Sequence, residues 1–297
     1  MVKYKHIVTK EEEGLTINQI LKANYSFSAR FKTKMKYQSL VDLNDVQTPG
    51  YVKPKVGDVI SIRLPDERSN FEPEDIPLDI IYEDEDLIII NKQAGITVHP
   101  TKGHPNHTLA NAVTNYMLKK GDSYKIRFAN RLDTDTSGLV IVAKNGNAQN
   151  EISKQMRNKT INKEYLALVN GIVNEDNFIV DLPIGRPYPD KVERAVMKSG
   201  GKEAKTGVRV LERFDSGYTY LSLELFTGRT HQIRVHLSHI GHPILGDALY
   251  GGQNYDLIKR QALHACSISF DHPINGERMT FKSEPPSDMT SLIYLLR

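Results

Sequence analysis

Two aspartates stand two residues apart where a polar loop runs straight into an apolar strand, in Asn130-Arg-Leu-Asp-Thr-Asp-Thr-Ser-Gly-Leu-Val-Ile-Val-Ala-Lys144. A loop fed into a strand is a common way to present a side chain to a substrate. A carboxylate held there can serve as general acid, general base or nucleophile. Asp133 and Asp135 share one side if the segment is extended, and a turn splits them, so spacing leaves both arrangements open. In the plainest reading both carboxylates bond turn amides and Gly138 serves the backbone.

Other chemistries find less support. Asp135-Thr-Ser-Gly is close to the Asp-Thr-Gly turn of aspartic proteases, but a serine intervenes, and no second such turn is present to share a proton. Two groups of histidines, His99, His104 and His107, and His231, His236, His239 and His242, follow no recognised ligand spacing, so no metal is expected. Cys266 is the single cysteine; it allows no internal disulfide, and its apolar neighbours point to an inert thiol. No glycine-rich phosphate loop precedes a helix, so nucleotide hydrolysis has no support.

The elements that must position the loop are strands more than helices. Strand patterns recur at 78–82, 87–91, 139–143, 164–169, 206–211, 218–224 and 267–270, with helical spacing at 108–118, 148–157 and 229–240. Many strands with few helices between them predict an α+β domain with a largely antiparallel mixed sheet, flanked by helices and holding a central cleft. Before it, residues 15–22 carry helical spacing, Ser28 can cap a second helix over 30–36, and 56–63 alternate as a strand entered through a Gly-Asp turn. The polar, acidic stretch 66–77, broken by two prolines, reads as a linker. The expected organisation is a small α+β module at 1–65, a linker at 66–77 and a catalytic domain at 78–297.

Charge is segregated in the same way. The chain carries +3 overall, yet residues 1–65 hold 11 Lys/Arg against 6 Asp/Glu. Arg30, Lys32, Lys34 and Lys36 fall close together there, a pattern suited to phosphate contacts or to a solvated charged face. Apolar runs such as Asp86-Leu-Ile-Ile-Ile-Asn91 are strand-sized, well short of the roughly 20 residues that span a bilayer. Met1-Val-Lys-Tyr-Lys-His6 contains no apolar signal segment, so a cytoplasmic setting without a membrane partner is expected.

The run Arg131-Leu-Asp-Thr-Asp-Thr-Ser-Gly-Leu139 resembles the active-site signature of the RluA-type pseudouridine synthases. The resemblance extends over about 78–290 through motifs in the same order: Asn91-Lys92, Gly95, His99-Pro100, Lys163-Glu-Tyr-Leu-Ala-Leu-Val169, Gly201-Lys-Glu-Ala-Lys-Thr206, Thr227-Gly-Arg-Thr-His-Gln-Ile-Arg-Val-His236, Gly241-His-Pro-Ile-Leu-Gly-Asp247 and Gln261-Ala-Leu-His-Ala265. It implies the pseudouridine synthase fold and the isomerisation of uridines in ribosomal or transfer RNA, by a monomer that needs no cofactor. Asp133 falls on the family's catalytic aspartate, Tyr165 on an active-site tyrosine that stacks on the base, and Arg234 on the arginine paired with the aspartate. Arg131 falls on an arginine that enters the RNA stack beside the extruded nucleotide. Asn130 stands where the family usually has His, which bears on RNA positioning, and Arg229 is a further phosphate-contact candidate. Residues 1–65 resemble the alpha-L RNA-binding module, with Leu40-Val-Asp-Leu-Asn-Asp45 in place of its usual Val-x-Val-Asn-Gly turn. The competing expectation is a non-catalytic RNA-binding or ribosome-assembly protein on the same fold.

Overall fold

Strands Leu87–Lys92 and Ser137–Ala143 are apolar at almost every position, and they pair antiparallel with Leu87 opposite Ala143 and Lys92 opposite Gly138. Both faces of such a pair must be covered. Alternation sends Ile88, Ile90, Val140 and Val142 against helix Leu109–Lys119. It sends Leu87, Ile89, Leu139 and Ile141 against helix Gly146–Arg157. The computed structural model that shows this describes residues 2–25, 27, 29–64, 67–101, 103–188, 190–252 and 256–297.

The large sheet runs in the order Asn177–Asp181, Lys205–Phe214, Tyr218–Leu225, Asn162–Asn170, Leu263–Asp271, Ser137–Ala143, Leu87–Lys92 and Asp79–Glu83. Arg278–Lys282 also pairs with Leu263–Asp271, and Arg127–Phe128 with Ser137–Ala143. Its pairings are antiparallel except where Leu263–Asp271 meets Ser137–Ala143, in parallel, through His264–Ser137 and Ala265–Gly138. This is the mixed α+β sheet expected. At the seam Gly138 has φ +116°, and a Cβ there would lie 2.3 Å from the Ala265 carbonyl oxygen, so no other residue fits without moving a strand. The Ser137 hydroxyl and His264 Nδ1, both buried, close the seam at 3.0 Å. Helix Gln232–His239 covers the other half of the sheet, packing Ile233 and Leu237 in one cluster with Leu221, Leu223 and Leu225.

A separate core lies under the four-stranded antiparallel sheet Val2–Ile7, Val59–Arg63, Val41–Leu43 and Val46–Gln47. Helices Ile17–Asn24 and Ala29–Tyr37 pack Ile17, Ile20, Leu21, Phe31 and Met35 onto Ile60 and Ile62. Thr16 begins the first helix by a reciprocal cap with Gln19. Ser28, expected to cap the second, lies outside the described residues, as does the Arg30 side chain. The strand Val2–Ile7 had no counterpart in the sequence reading. The absent Asn-Gly turn is replaced by Asn44-Asp45, both at positive φ (49° and 65°), which closes the hairpin with Leu43 opposite Val46.

The 66–77 segment departs from a free linker. Its described residues form no regular element, yet they are fastened to the large sheet's helix. Asn111 Nδ2 donates to the Glu72 carbonyl at 2.7 Å, the Glu74 amide donates to the Asn111 carbonyl at 3.2 Å, and Ile76 is buried. The backbone of Glu72 and Glu74 thereby satisfies the buried Asn111, and Ser69 Oγ accepts from the Ile126 amide. Glu67 then joins the two bodies by pairing with Lys34 of the second helix and with Arg127. Among the described residues no helix is long and apolar enough to cross a membrane.

Asp at the second left-handed turn position is costlier than Gly. Asp45→Gly is expected to stabilise the hairpin by about 0.5–1 kcal/mol. Amide exchange at Leu43–Gln47 reads this directly, and protection that stays the same or falls would show that Asp45 is not strained.

Candidate active site

The loop carrying Asp133 leaves the sheet by a side-chain substitution. Ala129 still donates to the Ile141 carbonyl in the ladder (2.9 Å), but at Asn130 the side chain takes over. Its Oδ1 accepts from the Ile141 amide at 2.8 Å and its Nδ2 donates to the Leu139 carbonyl at 3.0 Å. The main chain is thereby freed to turn. The turn closes with the Thr136 amide donating to the Asp133 carbonyl at 3.1 Å, and it splits the two aspartates: Asp135 is exposed, while Asp133 meets Arg234.

Three further contacts hold the turn. Thr134's carbonyl accepts from the Gly95 amide (3.0 Å) and from Lys92 Nζ (2.9 Å). Asp135's carbonyl accepts from Arg260, which also grips Asp288 of the C-terminal helix Ser287–Leu296 through two bonds. Lys92 is 1% exposed, and its ammonium also donates to the carbonyls of Gln93 and Ile96. Burial pushes its pKa down to about 7, partly offset by the charges of Asp135 and Asp133.

Arg234 is the cation of the site. Asp247, fully buried, accepts from its Nε at 2.7 Å and its Nη2 at 2.8 Å, and Asp133 accepts from its Nη1 at 3.0 Å. Its guanidinium also lies 5.0 Å from the Tyr250 ring centroid. Burial works against this charge, and the two carboxylates more than offset it, so its pKa rises. Asp247 is itself fixed by the amides of Leu249 (3.1 Å) and Tyr250 (3.3 Å).

The helix expected over 229–240 begins only at Gln232. Gln232 Oε1 accepts from Thr227 Oγ1 and from the Arg229 amide, which ties 227–231 into a loop, and His231 adopts φ +57° at its end. That conformation turns the His231 ring to within 3.8 Å of Asp133, with its Nδ1 2.8 Å from the Tyr250 hydroxyl. Burial lowers the His231 pKa, and Asp133 opposes the shift.

Tyr165, on strand Asn162–Asn170 opposite Leu223, is buried, and its hydroxyl has no hydrogen-bonded partner among the described residues. Burial and then the charge of Asp133 raise its pKa, so it is a neutral phenol at neutral pH. Arg131 is exposed and close enough to His99 to add to the burial that lowers that imidazole's pKa. Arg229 is exposed and donates to the Glu203 carbonyl at 2.8 Å. In the smaller body Lys32 and Lys36 are exposed, whereas Lys34 is turned to Glu67.

Asp133, Tyr165 and Arg234 therefore converge, while Asn130 is occupied by backbone and the Lys32–Lys36 group sits on the other core. The sequence assigns no part in this site to Asp247, Tyr250 or Lys92, and His231 is read there only as an unsuited metal ligand. Lys92, His231 and Asp247 lie within the quoted motifs, but nothing in their spacing told of contact with Arg234, Asp133 or the turn. Asp84, Asp86 and His272 form a group that could hold a metal among the described residues. Both Asp84 oxygens already accept hydrogen bonds, from Tyr82, His272 and two backbone amides, so the group is a filled network.

A mixed sheet carrying one carboxylate on a buried guanidinium has known counterparts. Residues 86–239 match the family model described as RNA pseudouridylate synthase. The chain is 41% identical over 249 residues to RNA pseudouridine synthase YlyB of Bacillus subtilis, covering 82% of each protein. It is 39% identical over 289 residues to ribosomal large subunit pseudouridine synthase D of Pasteurella multocida, covering 92% of this chain and 88% of that one. Human RNA pseudouridylate synthase domain containing 1 superposes with a TM-score of 0.61 at 27% identity, over 76% of this chain and 90% of the human one. The chain belongs to the RNA pseudouridylate synthase family. It is an RNA pseudouridine synthase, an isomerase acting on RNA, and these relationships do not favour a non-catalytic binder.

Removing one member of a buried ion pair strands the other, at a cost of about 3–5 kcal/mol. Asp247→Asn should lose stability on that scale and lower turnover more than RNA affinity, because Arg234 loses its anchor. Denaturant unfolding with kcat and Kd on one RNA checks this; unchanged stability and turnover would remove Asp247 from the site.

Proposed function

We propose that this enzyme isomerises uridines in ribosomal RNA, with Asp133 as the reacting carboxylate. The observation that supports it best is the split of the two aspartates, which leaves Asp133 on Arg234 and Asp135 in solvent. Ribosomal RNA is favoured over transfer RNA by the relatives named ribosomal large subunit pseudouridine synthase D, from Pasteurella multocida and from Escherichia coli, the latter 41% identical over 245 residues.

The reaction breaks the N1–C1′ bond of uridine, rotates the uracil and joins C5 to C1′; the C5 proton leaves and N1 gains one. A carboxylate assists by attacking C1′ or C6, or by taking a ribose proton to give a glycal. Each route needs its oxygen aimed at the nucleotide, which is what the Arg234 bond provides. Tyr165, as a neutral phenol, stacks on the base and offers a hydroxyl for hydrogen bonding rather than a standing phenolate. Arg131 fills the gap left by the extruded nucleotide, whose unstacking costs a few kcal/mol. Residues 1–65 act as an RNA-binding module through Arg30, Lys32 and Lys36, with Lys34 and Glu67 fastening it to the catalytic domain; Arg229 adds a phosphate contact at the rim. Asn130 acts on RNA indirectly, by holding the loop.

Tritium release from ribosomal and transfer RNA transcripts made with 5-tritiated uridine tests both parts. Asp133→Asn should abolish release while RNA binding persists, and Asp135→Asn should stay within a few-fold of wild type. Full activity of Asp133→Asn, or loss with Asp135→Asn alone, would contradict the assignment, and release confined to transfer RNA would overturn the substrate.

A further inference from the structure

Lys163 is one of the cations that the described ion pairs leave out, and unlike Lys92 it has no backbone carbonyl within hydrogen-bond distance among the described residues either. Lys34, Lys119, Lys120, Lys144, Lys154, Lys159 and Lys205 each pair with a carboxylate. Lys163, half-buried on strand Asn162–Asn170, has no carboxylate within ion-pair distance among the described residues. A desolvated ammonium without a counter-charge is costly, and burial accordingly lowers its pKa with no opposing group.

Its position gives that cost a purpose. Lys163 and Tyr165 are two apart on one strand and so face the same side, about 6.6 Å apart along the chain. Glu164, between them, points the other way, where it accepts from Ser222 at 3.0 Å. The cross-strand partner of Lys163 is Ile268, which clusters with Ile152 of helix Gly146–Arg157. Tyr165 clusters with Ile233 of helix Gln232–His239. Lys163 therefore lies on the same face of the strand as Tyr165, whose hydroxyl feels the charge of Asp133. Its Nζ reaches the 227–231 loop, 3.7 Å from where a Cβ on Gly228 would be, and that loop ends at His231, facing Asp133.

We infer that Lys163 is an RNA-binding residue beside Tyr165 on the sheet face, whose ammonium takes a phosphate flanking the uridine held over Tyr165. The missing counter-ion arrives with the substrate, and Gly228 leaves room for the nucleic-acid backbone to approach. Asp133 acts on the sugar or base while Lys163 fixes the strand one step along. This rests on the reading of Asp133 and Tyr165 as the nucleotide site.

Lys163→Met keeps the stem and removes the charge; Lys163→Arg keeps the charge. In the Met variant RNA affinity should fall about tenfold or more. The slope of log affinity against log salt should flatten by about 0.7–0.9. The Arg variant should recover both, and the melting temperature of the free Met variant should not fall, since an unpaired charge is gone. A methylphosphonate scan through a short target RNA should find one linkage whose neutralisation weakens the wild type and leaves Lys163→Met unaffected. Unchanged affinity and salt slope in Lys163→Met, or an equal methylphosphonate penalty in both proteins, would overturn the inference. Tritium release by wild type on the same RNA, with Asp133→Asn as control, tells a failure of the nucleotide site from a failure of Lys163 alone.

Discussion

A guanidinium has donors on two edges, and Arg234 uses one edge to grip Asp247 and the other to hold Asp133. The first grip is buried and bidentate, and the second holds a partly exposed carboxylate. One immobile carboxylate thus sets the position of the cation, and the cation sets the position of the reacting carboxylate. Arg is suited to this in a way Lys is not, because its donors are planar and fixed relative to one another. Much of the surrounding structure protects the arrangement. Gly252 lets the chain fold back over Asp247, where a Cβ would come within 2.8 Å of the Asp247 amide. Tyr250 lies against the guanidinium and also meets His231.

The other half of the site is built on the seam of the sheet. Ser137–Ala143 touches Leu263–Asp271 through two residue pairs at Gly138, so the Asp133 loop enters where the two halves of the sheet are joined. The loop is over-determined: Asn130 holds its start, Lys92 and Gly95 its middle, and Arg260 its end. Lys92 donates to three carbonyls from two chain segments separated by about forty residues, using an ammonium's full donor set. Such fixing favours a carboxylate already near its working position over one that must be captured by substrate.

Local pattern made much of this legible. Alternating and continuous apolar runs located Leu87–Lys92 and Ser137–Ala143, and helical spacing located Leu109–Lys119 and Gly146–Arg157 within one or two residues. The C-terminal helix carries the same kind of signal, Met289, Leu292, Ile293 and Leu296 at helical spacing, in a stretch where no element was expected. Strand Asn177–Asp181 covers only two alternate positions, the partly buried Phe178 and the buried Val180, at a sheet edge, a weak signal. The Asp133–Arg234–Asp247 chain was half legible. Family motifs pointed to Asp133 and Arg234, but Asp247 lies 13 residues beyond Arg234 across a loop, and no periodicity relates them. Asn130 stands where the resembled family usually has His, which points to RNA positioning. That its amide completes a β-ladder is a tertiary fact.

The central claim is that Arg234 works through geometry, not charge alone. Single-turnover conversion of uridine to pseudouridine, with enzyme saturating over RNA, measures this with binding removed from the rate. Arg234→Lys keeps a cation but cannot grip Asp247 by two bonds while holding Asp133. The account predicts that Arg234→Lys falls about a hundredfold or more, nearly as far as Arg234→Met. A Lys variant within a few-fold of wild type would contradict it and reduce Arg234 to a counter-charge.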